Sequence, residues 1–419
     1  MEVFNSYIFI IAVSAIIILS YFFNILSRKT NVPSVLMLII IGVLINGGMS
    51  LFEIREVNLF PVLEVLGIVG LIMIVLEAAL DLELKKEKWG IIWRSFSVAL
   101  LALISTSFAC AFVINYFVEM APYTALIYAM PLSIMSSAII IPSIENLKPD
   151  KKEFLIYEST FADILGIMFF YLLISNAGES SAKVVILDVA GNVSLTIIIS
   201  IVVSYALVLI FQNVTTNVKL FLLIAVLLLL YSIGKLLQLS SLLVILIFGL
   251  VLHNHRLFFR GFLRRWLKVD AVENILGDFK MITAESSFVV RTFFFVIFGI
   301  TLVLNSLISF KVILISALVI GIIYAIRLLM LKLFLRRDIK PQLYIAPRGL
   351  ITILLFFAIP EEFRAEGFES GIILFTILAT SIIMMFWLIK SGKGEGDTSA
   401  SLSLNSEGEE GEKSRPSGF

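Results

Sequence analysis

Within one long apolar stretch lies Tyr157-Glu158-Ser159-Thr160-Phe161-Ala162-Asp163-Ile164-Leu165-Gly166, two carboxylates with two hydroxyls between them. On a helix, Ser159 is four residues before Asp163 and Thr160 three before, about 40° and about 60° around the axis, so all three share a face. Glu158 is five before, about 140° away, and points elsewhere. The two acids therefore have different tasks. Asp163, with hydroxyls beside it, suits a proton or a hard cation that takes oxygen ligands. Glu158 suits a basic partner on a neighbouring helix. Bases stand in three other apolar stretches, at Arg291, Arg327 and Arg348. Charges at bilayer depth are costly and face a partner or a cavity, so acids and bases spread over separate spans point to an ion or proton path.

Further chemistry-bearing residues lie where a helix is expected to fail. Ala129-Met130-Pro131-Leu132-Ser133-Ile134-Met135-Ser136-Ser137-Ala138 continues to Pro142, with a serine pair between two prolines. Ala346-Pro347-Arg348-Gly349-Leu350 is a second break, this one carrying a charge. Two interrupted spans in distant halves of a chain are the sequence pointer to a transport site at the bilayer middle. Simple proline kinks in packed helices are the other reading. Ser136 and Ser137, with Ser159 and Thr160, are the expected additional oxygen ligands of a monovalent cation at Asp163. Arg327 is the expected partner of Glu158, or of an ionised Asp163. Arg291 either joins this buried set or snorkels to a surface. Glu77, in Leu76-Glu77-Ala78, falls near a span end, where a solvated, cap-like role is expected.

The elements that position these residues are membrane helices. Hydrophobic residues make up 60% of the 419 residues and charged residues 15%, and mean hydropathy is +1.05. No soluble domain of this size hides that much apolar surface. Thirteen spans are read, at roughly 7–27, 32–48, 60–80, 90–117, 123–146, 154–176, 189–211, 219–237, 240–254, 282–306, 310–335, 341–360 and 368–390. The break between spans eight and nine is the weakest, and merging them gives twelve. With thirteen, one face carries 21 Lys and Arg and the other five. The cation-rich face is cytoplasmic, which puts the N-terminus outside and the C-terminus inside. Merging would place later loops on the wrong side. Arg256–Phe279 mixes basic and aromatic residues and reads as an amphipathic helix on the inner leaflet or as a plain basic loop. Residues 391–419 are rich in Gly, Ser and Glu and read as a disordered cytoplasmic tail.

Other chemistries are poorly supplied. The single cysteine, Cys110, forms no disulfide within one chain, and two histidines offer little for a metal site. Aspartyl intramembrane proteolysis needs a second deep aspartate. A rhomboid-type protease needs a serine and a histidine at depth, and His253 and His255 sit at a span end. The chain is therefore read as no enzyme, with no cofactor. Net charge is +1, and no nucleic-acid partner is expected.

Taken in order along the spans, these motifs resemble the monovalent cation:proton antiporter superfamily, the sodium/proton exchangers, over about residues 5–390. Glu158-Ser159 through Ala162-Asp163 is similar to that family's sixth-span signature, Leu76-Glu77-Ala78 to its third-span motif, and Arg291 through Gly299 to its tenth span. Arg327 stands at its eleventh-span basic position, and Pro347-Arg348-Gly349-Leu350 resembles its broken twelfth span. Two departures matter. Ala162 precedes Asp163 where many relatives have Asn or Asp, and Ser136-Ser137-Ala138 lacks the acid of the fifth-span Thr-Asp pair and looks closer to the potassium-efflux branch. The choice among Na⁺, Li⁺ and K⁺ stays open.

The resemblance implies an all-α polytopic fold of inverted repeats in which spans five and twelve are discontinuous and cross. It implies a core of about spans 4–6 and 11–13, a dimerisation scaffold of about spans 1–3 and 7–10, and a homodimer in the inner membrane. It further implies elevator-type exchange of one cation for one proton at Asp163, electroneutral, with a Glu158–Arg327 pair holding the core and Arg348 facing the crossing. A sodium-coupled organic-anion transporter, with Arg348 and Arg291 binding the anion, or a non-exchanging channel or sensor, is the alternative on the same bundle.

Overall fold

The computed structural model describes residues 6–30, 32–51, 60–144, 147–176, 182–213, 219–236, 241–301, 307, 309–335, 338–365 and 367–390. Helices occupy every apolar stretch: α1 (Ser6–Thr30), α2 (Ser34–Leu51), α3 (Phe60–Asp81), α4 (Trp89–Val118), α5 (Pro122–Ser133), α6 (Ser137–Ser143), α7 (Pro149–Ser175), α8 (Ala182–Phe211), α9 (Lys219–Leu236) and α10 (Ser241–His253). A short α11 (His255–Phe258) precedes α12 (Val269–Thr301), α13 (Phe310–Leu335) and α14 (Leu350–Phe357). The last helix is α15 (Gly371–Lys390). No strand occurs among the described residues. Eight helical segments are long and apolar enough to cross a membrane, with Pro122–Ser143 counted as one. The expected tail at 391–419 lies outside the described residues.

Bilayer hydrocarbon offers no water to satisfy backbone groups, and helices satisfy them internally. The hydroxyls inside the spans follow the same rule. Ser107, Ser133, Ser143, Thr376 and Thr380 each donate to the carbonyl one turn back. Large apolar side chains face outward in stripes. Phe108, Phe112 and Tyr116, spaced four apart on α4, are 62%, 74% and 71% exposed, the surface that lipid rather than water covers.

The helices pack as two neighbourhoods. α4 lies along α5, α7 and α13, and α5 also meets α7 and α14. Separately, α12 lies along α2 and α3, and α10 along α3, α8 and α9. The two sets touch through α3 with α14, α7 with α10 and α1 with α6. Between helices in lipid, small residues let backbones approach. At the α2–α12 crossing, a Cβ on Gly42 would fall 2.7 Å from the Gly299 Cα, and one on Gly299 would fall 2.9 Å from the Gly42 Cα.

Two expectations change. Arg256–Phe279 is not one interfacial helix. It forms α11, a 3₁₀ turn at Gly261–Trp266 and the first turns of α12. The Gln212 side chain accounts for the break, because it donates to the Trp266 carbonyl at 2.8 Å and accepts from the Lys268 N–H at 2.8 Å. With 33 residues, α12 is about 50 Å long against a hydrocarbon core of about 30 Å, so its N-terminal turns extend beyond the span. The second interruption is also lopsided. Only a 3₁₀ turn, Gln342–Tyr344, precedes the extended segment 345–349, and α14 follows it.

A Gly42→Ala substitution should lower thermal stability in detergent by about 1–3 kcal/mol, because the methyl meets backbone that cannot yield. Gly47→Ala, with open space at its Cβ, should not. Equal melting behaviour of the two variants would contradict this packing.

Candidate functional site

The site is built where the two interruptions touch. Between α5 and α6, Ile134 and Ser136 are extended. The Ser136 N–H, released from helical bonding, donates to the Pro347 carbonyl at 2.9 Å. Gly349 lies against the same point. A Cβ there would meet Ile139 Cδ1 at 2.7 Å and Ser136 Oγ at 2.8 Å, so glycine is what the close approach allows. The ends of α5 and α6 leave backbone groups needing partners, and charged side chains supply them. Arg348 Nε donates to the Leu132 carbonyl at 2.8 Å and its NH2 group to the Ser133 carbonyl at 3.2 Å, placing a cation at the C-terminal end of α5. Its NH1 group donates to the Ala346 carbonyl, and its backbone N–H donates to Thr380 on α15.

At the start of α6 stands Asp163, 2% exposed. Its Oδ2 accepts the Ser137 N–H at 3.1 Å and a short bond from the Ser137 hydroxyl. Asp163 Oδ1 has no hydrogen-bond partner among the described residues, and neither has the buried Ser136 hydroxyl. The carboxylate thus has one oxygen held and one without a partner among the described residues, and Ser136, next in sequence to Ser137, has an unpartnered buried hydroxyl. Ser159, which shares Asp163's face in sequence, turns its hydroxyl back to the Ile156 carbonyl at 3.2 Å. The side chain joined to Asp163 comes from the broken helix and not from α7. Thr160 is buried on the same helix.

Glu158, five residues earlier, is also buried but answered in full. Arg327 NH1 and NH2 donate to its two oxygens at 2.7 and 3.1 Å, a bidentate pair. Arg327 Nε and NH2 also donate to the Gln342 carbonyl at 3.0 and 2.8 Å. One guanidinium therefore ties α7, α13 and the turn before the second interruption. The Gln342 carbonyl is a backbone acceptor, which residue type does not advertise.

Residues 12–390 match the family model described as the transmembrane sodium/hydrogen exchanger. The chain belongs to the sodium/hydrogen exchanger family. It is accordingly a multi-pass membrane protein of a transporter family. Comparison with curated proteins finds no match. Among solved structures, the fold is similar to the sodium proton antiporter MjNhaP1 from Methanocaldococcus jannaschii at pH 8, with a TM-score of 0.69 and 18% identity over 91% of this chain and 94% of that one. An electron-microscopy map of MjNhaP1 gives a TM-score of 0.67 and 20% identity, covering 94% and 99%.

In this exchanger-family chain a cavity of ≈390 Å³ leads from the α1, α3 and α12 side to Ser137, the residue bonded to Asp163. Glu77 and Arg291 face each other across it, with Arg291 NH2 and Glu77 Oε1 3.8 Å apart, and Glu285 lies on the same wall. Arg291 also donates to the Ser287 carbonyl at 3.3 Å and to Ala138 of α6 at 3.5 Å. Glu77 thus lines the cavity with a side chain 26% exposed, and Arg291 turns inward toward it. Glu285 was not singled out in the sequence, although it lies just inside the span read at 282–306. A second cavity of ≈270 Å³ shares Glu77 and Ala284 and reaches the Asp81–Lys280 pair, which lies at the cation-rich face.

Substituting Glu158 by Gln leaves Arg327 buried without a counter-charge, and breaking such a pair costs about 3–5 kcal/mol. Glu158→Gln should melt well below the parent protein in a thermal unfolding scan. A variant of undiminished stability would remove the pair's role in holding α7 to α13.

Proposed function

We propose that the protein is a secondary active antiporter that exchanges Na⁺, or Li⁺ or K⁺, for H⁺ at a single carboxylate, Asp163. The observation that carries this is the state of that side chain. It is buried at the meeting of two broken segments, held through Oδ2 by Ser137, without a partner at Oδ1 among the described residues, and one residue away from a cavity. A carboxylate fixed by an arginine cannot release its partner at each cycle, whereas one held by a serine can exchange a proton for a cation. Asp163 Oδ1, the Ser136 hydroxyl and the carbonyls of the interrupted segments are hard oxygen donors suited to a monovalent cation. Family membership and the antiporter fold support the same reading.

The mechanism follows from electrostatics. The ionised, unloaded carboxylate is too costly to carry through the membrane middle, so only the protonated or cation-loaded forms cross. One site holding either ligand, never both, makes exchange obligatory. One carboxylate then gives one cation for one proton, an electroneutral cycle. The helix neighbourhoods support an elevator: α4–α7 and α13–α15 move as a core against a scaffold of α1–α3, α8–α10 and α12, which pairs with a second copy as a homodimer. The chain lies in the inner membrane with its N-terminus outside and C-terminus inside. The cavity then opens to the cytoplasm. An organic-anion reading would ask Arg348 and Arg291 to bind the substrate, yet each of the three side-chain nitrogens of Arg348 already donates to a backbone carbonyl, and Arg291 faces Glu77 at 3.8 Å.

Adding Na⁺, Li⁺ or K⁺ to purified protein in weak buffer should release protons, and Asp163→Asn should abolish the release while melting like the parent. Undiminished release from a well-folded Asp163→Asn protein would end this assignment. Ser137→Ala removes one bond to the charged form, worth about 1.5–3 kcal/mol. It should shift the cation concentration giving half-maximal release by about tenfold or more without abolishing exchange.

A further inference from the structure

At the cation-rich end of the bundle, well apart from the Asp163 cavity in its lining, three distant stretches of chain converge: the entry to α7, the loop after α13 and the last turn of α15. They enclose a cavity of ≈200 Å³, several times the roughly 30 Å³ share of one water. Its lining includes Lys148, Lys151, Lys340 and Lys390, together with Trp387 and Pro341. Trp387 is fixed by a parallel stack on Tyr344, 3.8 Å between centroids and 6° between planes. Over this ring stand two of the ammonium groups, Lys390 Nζ at 4.9 Å and Lys340 Nζ at 5.8 Å from its centroid. Lys151 pairs with Asp338 at 2.8 Å, and that aspartate is mostly exposed.

Lys151 is already answered by Asp338, whereas Lys340 and Lys390 share the ring of Trp387, and an anion between them would offset their mutual repulsion. Lysine ammonium groups bind phosphate as point charges. Trp387 and Lys390 lie in the last turn of the apolar helix Gly371–Lys390, and tryptophan rings at the ends of membrane helices sit at the membrane–water boundary. Basic pockets between membrane helices on this side accept phosphate headgroups.

We propose that this lysine-walled pocket binds the phosphate of an anionic phospholipid in the adjoining leaflet, with Trp387 as its floor. The bound lipid ties the start of α7, the helix bearing Glu158 and Asp163, to the end of α15.

The test titrates short-chain phosphatidylglycerol into the purified full-length protein in nonionic detergent by isothermal calorimetry. Short-chain phosphatidylcholine and inorganic phosphate are run in parallel. Saturable binding of phosphatidylglycerol is expected, with phosphatidylcholine and inorganic phosphate each about tenfold weaker or more. The K340Q/K390Q double variant should lose about tenfold or more of the phosphatidylglycerol affinity, while cation-driven proton release is kept, since neither lysine belongs to the exchange site. Affinity unchanged in K340Q/K390Q, or equal binding of phosphatidylcholine, overturns the proposal. Inorganic phosphate binding as tightly as the lipid overturns the lipid source in favour of a soluble phosphate. The sequence from Glu407 to Glu412 supplies a competing set of acids. If lipid binds only to an E407Q/E409Q/E410Q/E412Q variant, the tail and not lipid is the occupant.

Discussion

A charge buried among apolar helices must be answered, and the architecture of this chain can be derived from how each one is. Arg348 answers the carbonyl end of α5, Arg327 answers Glu158, and Ser137 answers half of Asp163. The first two arrangements are complete and stiff. The third uses neutral donors on one oxygen only. In a medium where an unpaired charge is costly, that incompleteness separates a residue that can take a ligand from residues that hold a fold.

The contrast between Glu158 and Asp163 follows from helix geometry. Five residues of α7 turn the two acids onto different faces. One face looks at α13 and meets a guanidinium, and the other looks at the start of α6 and meets a hydroxyl and an N–H. The same helix therefore carries both the paired acid and the acid proposed as the exchange site. The Gln342 carbonyl strengthens the division, because it takes donors of Arg327 that could otherwise reach for another acid.

Access depends on the second neighbourhood of helices. Glu77 on α3 and Arg291 on α12 line the approach to Ser137, and Arg291 also touches the α6 backbone at Ala138. Arg291 spans the two neighbourhoods through its 3.5 Å bond to the Ala138 carbonyl, a loose contact compared with the bidentate pair at Glu158. The tight charge pair lies within the α4–α7 and α13–α15 set and the looser Arg291–Glu77 pair within the other, so of these contacts the Arg291–Ala138 bond is the one that crosses between the sets. A single long hydrogen bond at that crossing is compatible with the proposed movement of core against scaffold.

Much of the fold was legible because membrane solvation writes itself plainly: long apolar runs and a lopsided distribution of Lys and Arg. The deep acids and bases were legible for the same reason, since a charge in such a run is rare. Less legible were features made of backbone or of ordinary polar residues. Nothing in Ser159 tells that its hydroxyl bonds its own helix while Ser137 takes the carboxylate, and nothing in Gln342 tells that its carbonyl holds Arg327. The break at Gly261–Trp266 depends on Gln212, some fifty residues away, so the amphipathic pattern over 256–279 read as one continuous helix.

The amino-acid sequence by itself determined that the chain is a bundle of membrane helices with a few buried charges, because hydropathy and helical period are local properties. Only the tertiary structure decided which charges are paired and which is left half-answered. That depends on distances between segments up to 216 positions apart, and the low dielectric between them makes a displacement of an ångström or two decide whether a carboxylate is a strut or a ligand.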